Sequence, residues 1–448
     1  MQDLHAYIDS QRGRFLEELC TLVRQPSVAA QSLGIEETAR LVAQRLERLG
    51  AQVRVLRRPG ASPLVFGSIG QGQRTLLIYD HYDVQPAEPL ELWHSPPFEP
   101  SERDGKLYGR GVADNKGNLM LRIQAVEAWL ATRGDLPITI NFFVEGEEEI
   151  GSVNLDAYCH EHTDLLRADG CLWETGGLNA TEQPTMMCGA KGICYVELVA
   201  RGTAYDLHSA NATMAPNAAW RLTWALATLK DQHEHVLIPG FYDRVRPPTA
   251  AELEALESIP IDDDILLADW QIDDFLGGKR GKDRIADNLF APTCTICGML
   301  SGYTGPGSKT VLPSEARAKI DFRLVPDQDP AEIVRLLRAH LDVHGFNDIE
   351  ILEFGHEHPA RFSPDSHIMA AMGRAIQATY GKAPIVYPSM AGTGPVYPVC
   401  ALPNTPMTSG CGAGYKGTLV HSPNENIRLG DYWNAMRCMA AFIQEFAV

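Results

Sequence analysis

The chain has 448 residues, of which 45% are hydrophobic, 21% charged and 8% aromatic, a composition that excludes a disordered or collagen-like polypeptide. Its 57 acidic residues exceed the 39 basic ones by 18, a surplus that repels phosphate backbones and anionic bilayers and argues against nucleic acid and membrane partners. The opening MQDLHAYIDSQRGRF has no apolar signal core, and ten cysteines are too few for a disulfide framework, so the expected location is the cytosol.

In chain order, Glu36–Leu49 carries Ala39, Val42, Leu46 and Leu49 at helical spacing, with Gly50 as a stop. RTLLIY (74–79) is a buried-strand run. Asn118–Leu130 places Leu119, Ile123, Val126 and Leu130 on one helix face, and ITINFFV (138–144) and GCLWE (170–174) are further strands. Strands alternating with helices predict a mainly parallel sheet with helices on both faces. From about residue 190 the pattern changes. CYVELVARG alternates Cys194, Val196, Leu198 and Ala200 on one face. ARAKIDFRLV alternates Ala316, Ala318, Ile320, Phe322 and Leu324 against Arg317, Lys319, Asp321 and Arg323. Such strands suit a sheet packed on one face and wet on the other, with helices over Asn217–Lys230 and Ala331–Leu341 covering the packed face. Residues 241–288, rich in Pro, Asp and Glu, read as an irregular excursion. TCTICGML, with Cys294 and Cys297, reads as a buried strand bearing a structural thiol pair. After residue 364 a helix (Ile368, Met372, Ala375, Thr379) leads into Gly- and Pro-rich loops and a last helix. The predicted architecture is an α/β domain of residues 1–189 and 360–448, interrupted by a smaller α+β domain of residues 190–359.

Four polar clusters fall where strands of the first domain end, which is where open α/β sheets bind ligands. In Asp80-His81-Tyr82-Asp83, His81 and Asp83 share a face of an extended segment, as a metal ligand and its orienting carboxylate would; a solvated turn is the alternative. In GRGVADNKGN (109–118), Asp114 precedes a helix and could equally be its N-cap. Glu145-Gly146-Glu147-Glu148-Glu149 follows the buried NFFV. A charged helix start explains one or two of these carboxylates, but their convergence calls for a cation. Trp173-Glu174-Thr175 ends another strand, and GTLVHSPNE (417–425) offers His421. Two histidines and several carboxylates form a ligand set for two divalent cations, zinc first, with cobalt and manganese also fitting. His233/His235 and His356/His358 lie in polar, loop-like stretches and read as surface residues, and His94 as a packing residue.

At these residues the sequence resembles the dinuclear zinc peptidases that include carnosinases, cytosolic dipeptidases, acetylornithine deacetylase, succinyl-diaminopimelate desuccinylase and aminoacylase. The ordered motifs YDHYDVQP, GRGVADNKG, EGEEEIGS and HSPNE carry the resemblance, and DLHSA, DFRLVP and the segment around TVLP are most similar to the dipeptidase branch. It implies that His81, Asp114 and Glu174 bind one metal while Asp114, Glu149 and His421 bind the other. It further implies Glu148 as general base, Asp83 as the carboxylate orienting His81, and a cis peptide bond between Asp114 and Asn115. His208 matches a lid histidine that crosses a homodimer into the partner's site, and Thr310 a lid residue near the substrate. Arg323 and the Gly392-Thr393-Gly394 loop match the part that grips the substrate's carboxylate. Asn115 stands where some relatives carry Asp, and Glu174 where several dipeptidases carry Asp but aminoacylase-like relatives also carry Glu.

The resemblance makes residues 190–359 a lid and dimerisation domain, and the expected activity is hydrolysis of dipeptides with a free C-terminal carboxylate. Deacylation of N-acyl amino acids needs the same machinery and a different acyl pocket. A silent binding protein on this fold is the reading from another class, against which the complete ligand set and Glu148 argue.

Overall fold

Helix Gln2–Arg24 opens the chain in this computed structural model, which describes residues 1–448. The larger sheet has six strands in the order Gln52–Leu56, Leu64–Ile69, Thr139–Glu145, Thr75–His81, Gly170–Leu172 and Met407–Thr408. The two pairings at the first edge are antiparallel and the remaining three are parallel. Apolar runs such as Leu76–Tyr79, buried throughout, fill its middle because both faces are covered. Leu76 and Ile78 point to one side, into a core shared with helices Lys116–Arg133, His367–Tyr380 and Leu429–Phe446. Leu77 and Tyr79 point to the other, into a smaller core with helix Leu155–Glu161 and the turn Tyr397–Ala401. This is the period-2 geometry of a strand between two helical layers.

The second sheet is wholly antiparallel, in the order Thr295–Ser301, Glu315–Leu324, Gly192–Arg201, Glu350–Glu357. Its packed face is the predicted one: Cys194, Val196, Leu198 and Ala200 with Ala316, Ala318, Ile320 and Phe322. Helices Ala218–Leu226 and Pro330–Val343 cover it in a separate core. The chain passes between the two sheets at Gly189–Ala190 and Ala360–Arg361, which pair with each other. No helix is long and apolar enough to cross a membrane.

Three expectations need correction. Residues 241–288 are not irregular: they contain helices Ala250–Ser258 and Asp263–Trp270, and a third, Gly281–Phe290, begins within them. Thr249 and Glu252 form a capping box, and Leu256, Ile259, Ile285, Leu289 and Phe290 build a small core against Ile385. The CxxC strand is not buried. Cys294 is, but Thr295–Ser301 is an edge strand with Cys297, Ile296, Met299 and Leu300 exposed. His94 does not pack; it is exposed, with its backbone N–H on Asn424 Oδ1.

Candidate functional site

Three adjacent parallel strands end side by side, and each delivers polar side chains at its carboxyl end. His81 closes Thr75–His81, Glu174 follows Gly170–Leu172 by two residues, and Glu148 and Glu149 form a 3-10 turn after Thr139–Glu145. Asp114 arrives from the loop preceding helix Lys116–Arg133, and its bond to Asn115 is cis. His421 comes from a loop near the far end of the sequence and holds a left-handed backbone (φ 61°), uncommon for a non-glycine residue.

The predicted ligands meet. His81 Nε2 lies 3.1 Å from Asp114 Oδ1 and 3.5 Å from Glu174 Oε2. His421 Nε2 lies 3.0 Å from Asp114 Oδ2 and 3.1 Å from Glu149 Oε2. The two oxygens of Asp114 thus face different partners, as a bridging ligand requires. Asp83 does more than orient His81, whose Nδ1 is 3.4 Å from its carboxylate. Its Oδ1 accepts the Glu148 N–H at 3.2 Å and its Oδ2 the Glu149 N–H at 3.0 Å, so one buried carboxylate positions both His81 and the Glu148–Glu149 segment.

The acidic run divides by environment. Glu145 is buried against the Tyr79 hydroxyl (2.6 Å) and Ser152 (2.9 Å), and burial pushes its carboxyl up to about 8. Glu147 accepts N–H bonds from Ser62 and Asn154. Only Glu148 and Glu149 line the site cavity, of about 290 Å³, with Gln85, Thr393, Gly394 and His421. Gln85 Nε2 holds Glu149 at 2.9 Å.

Arg323 reaches the cavity through Thr393. Its Nη1 donates to Thr393 Oγ1 at 2.8 Å and its Nε to Asp321 at 3.0 Å. Gly394 lines the cavity and Gly392 receives the Lys191 N–H at 3.1 Å. His208 and Thr310 stand apart from the cavity lining: both are exposed, His208 Nε2 lies 3.3 Å from Thr310 Oγ1, and strand Leu207–His208 pairs with Val311–Leu312, which follows Thr310.

The electrostatics record a shortage of positive charge. Burial opposes ionisation of Asp114, yet its bonds to His421 and His81 prevail and hold the carboxyl below its ordinary range. The bond to Asp114, then that to Glu149, raises His421 to about 10. Burial is the main cause raising Glu148 to about 7, and it raises Glu174 well above a normal carboxyl. Five carboxylates (Asp83, Asp114, Glu148, Glu149, Glu174) thus surround two imidazoles. Buried Glu174 Oε2 has no hydrogen-bond donor, and Asp114, Glu149 and His421 each offer a donor atom within 4.8 Å of the others. Oxygen and imidazole donors left short of protons in this way fit divalent cations.

Sequence reasoning gave no role to four supporting residues. Glu425, the last residue of HSPNE, accepts the N–H groups of Gly111, Ala113 and Asp114 at 2.8–2.9 Å and pairs with buried Arg110 at 2.8 Å. Arg122 binds Asp80 at 2.8 Å and the carbonyls of Trp173 (2.7 Å) and Glu174 (2.9 Å), tying the strand ends together. Lys116, brought down to about 7 by burial, donates to the carbonyls of Leu22 and Gln25. Asp80, Lys116 and Glu425 lay inside motifs already singled out; Arg122 gave no signal, because a polar residue inside a helix reads as its solvent face.

Comparison with known proteins adds an independent line. The profile of Peptidase family M20/M25/M40 matches residues 77–445. The Beta-Ala-His dipeptidase of Rattus norvegicus is 28% identical over 483 aligned positions, spanning 100% of this chain and 96% of that protein. The Cys-Gly metallodipeptidase of Schizosaccharomyces pombe is 27% identical, spanning 100% of this chain and 98% of that protein. Among solved structures, a metallo-carboxypeptidase from Sulfolobus solfataricus superposes with a TM-score of 0.91 at 39% identity, covering 97% of this chain and 99% of that one. Human carnosine dipeptidase 1 superposes with a TM-score of 0.79 at 26% identity, covering 100% and 99%.

Proposed function

The chain belongs to Peptidase family M20/M25/M40, and on that premise we propose that it is a metal-dependent dipeptidase holding two divalent cations, zinc in the first instance. The observation that carries this reading is Asp114 set between two groups, His81 with Glu174 and His421 with Glu149, the latter pair lining one cavity with Glu148 and Thr393. Bound cations would supply Lewis acidity and make water acidic near neutral pH. Glu148 takes the proton of the attacking water and returns it to the leaving amine. Asp83 keeps Glu148 and His81 in mutual register. Arg323, steadied by Thr393, pairs with the substrate's C-terminal carboxylate through its planar fork.

His208 acts from the partner subunit in this proposal, donating to the developing oxyanion, a contribution of about 3 kcal/mol in comparable sites. Its exposure supports that role. So does the apolar surface of residues 190–359, the proposed lid and dimerisation domain. The edge strand Thr295–Ser301 exposes Ile296 (48%), Met299 (58%) and Leu300 (62%), and Trp220 and Trp224 stack on the exposed side of Ala218–Leu226. A homodimer would cover both. Free thiols, nine of ten buried, suit a reducing compartment, and we place the enzyme in the cytosol.

The test is metal content per chain together with turnover of a panel of free dipeptides, N-acetyl amino acids and oligoalanines of two to five residues. The proposal requires the dipeptides to win. Faster cleavage of N-acetyl amino acids would favour the deacylase. Preference for the longer oligoalanines would favour a carboxypeptidase, the second reading, which the 39% identity to the Sulfolobus solfataricus enzyme supports.

A further inference from the structure

One acidic side chain in the cavity has no part in the chemistry above. Glu357 ends the strand Glu350–Glu357 and lines the cavity with Glu148, Ile193, Thr393 and His421. It is half-buried, and the charges acting on it, Asp156 and Glu148, are both negative; burial first, and then these, push its carboxyl up to about 7. The flanking histidines do not neutralise it: His356 pairs with Glu353 at 2.8 Å and His358 stacks on Tyr397.

Register fixes where Glu357 stands. Ile193 pairs with Arg323 on one neighbouring strand and with Glu357 on the other. Directly opposed residues project from the same face, so Arg323, Ile193 and Glu357 form one row across the sheet. The row begins at the guanidinium that holds Thr393 and ends at an unpaired carboxylate, with an apolar floor between. The outer two positions are two strand spacings, about 10 Å, apart at Cα. An extended two-residue substrate spans about 7 Å, with a carboxylate at one end and an ammonium at the other, and Glu357 lines one cavity with Thr393, the residue to which Arg323 donates. The row carries the complementary charges in the complementary order.

We propose that Glu357 receives the N-terminal ammonium of the substrate and makes the enzyme select unblocked dipeptides, so that it is a specificity-determining residue. The proposal rests on the dipeptidase reading. An acyl chain without the ammonium leaves this carboxylate buried by substrate and unpaired, which is how a polar site rejects an analogue lacking its partner.

The test uses the metal-loaded enzyme and two compounds, Leu-Gly and its desamino analogue 4-methylpentanoyl-glycine, which differ only in the ammonium. The wild-type chain should favour Leu-Gly by about 10- to 150-fold in kcat/KM, the worth of a hydrogen bond to a charged group. Glu357→Gln should collapse that preference to within a few-fold, by loss on Leu-Gly, and Glu357→Asp should keep part of it. The same preference is read as dissociation constants by calorimetry on the Glu148→Gln chain. A protein that hydrolyses neither compound would sink the dipeptidase reading, and the binding ratio would still decide Glu357. Equal losses on both compounds, or a preference unchanged by Glu357→Gln in rate and in binding, would overturn the proposal.

Discussion

Arg323 offers the sharpest test of substrate class, because its hydrogen bonds can be counted. A guanidinium has five N–H donors, of which Nε is taken by Asp321 and one on Nη1 by Thr393, leaving three for a substrate carboxylate. A hydrogen bond to a charged group is worth about 1.5–3 kcal/mol. The Arg323 side chain is 32% exposed, so solvent screening sets the expectation at the lower end, about 1.5 kcal/mol or roughly 10- to 20-fold. Amidating the C-terminus of a good dipeptide should therefore lower kcat/KM by that factor on the wild-type chain. Arg323→Met should lose a similar factor on the free acid and little more on the amide, since the contact is already gone. The assay is a four-way cycle of two enzymes and two substrates, with a thermal melt of each chain, because Met also leaves Asp321 without its partner. Equal losses on acid and amide would show that Arg323 serves the fold or the dimer, and the carboxylate argument would fall.

Four other outcomes are expected. Glu148→Gln should retain its metal, measured by mass spectrometry, while kcat falls by about 10²- to 10⁴-fold, whereas Glu149→Gln should lose metal itself. Asp83→Asn cannot accept both the Glu148 and Glu149 N–H groups; its metal affinity, read by chelator competition, should drop about 10- to 100-fold, and unchanged affinity would refute its positioning role. Mixed dimers of inactive His208→Ala and inactive Glu148→Gln chains should regain activity if His208 works in trans, and verified heterodimers without activity would place it elsewhere. In the metal-free chain, His421 is raised from 6.5 to about 10, so its stabilising contacts are complete below about pH 6.5 and vanish as pH rises through about 10. The melting temperature in chelator should fall across that window, and a flat or rising profile would contradict the imidazolium–carboxylate contacts.

The catalytic domain was legible in the sequence because its information is local. A run such as Leu76–Tyr79 announces a two-sided strand, and alternation from Ala316 to Leu324 announces a one-sided one. The candidate ligands were legible because carboxylates and histidines at strand ends have few other reasons to gather. What stayed hidden depends on partners distant in sequence. The helices of 250–290 have weak periodicity and are held by a core that includes Ile385. Thr295–Ser301 has the composition of an interior strand but lies at an edge, a fact of strand order rather than of composition. Glu357 sits between His356 and His358, which read as surface residues, and only register sets it opposite Ile193 and, one strand beyond, Arg323.

The Glu425 contacts bear on how the enzyme is made. Amide groups of the turn that carries Asp114 donate to Glu425, and His421, which completes the proposed ligand set, comes from the same late loop. Roughly 340 residues separate His81 from His421, so at translation speeds of about 5–20 residues per second the first ligand waits about 20–70 s for the last. Until Glu425 is made, the N–H groups of Gly111, Ala113 and Asp114 lack the carboxylate that accepts them. On the proposed two-metal reading, peptide hydrolysis is thus unavailable to a chain that has not yet been made through His421.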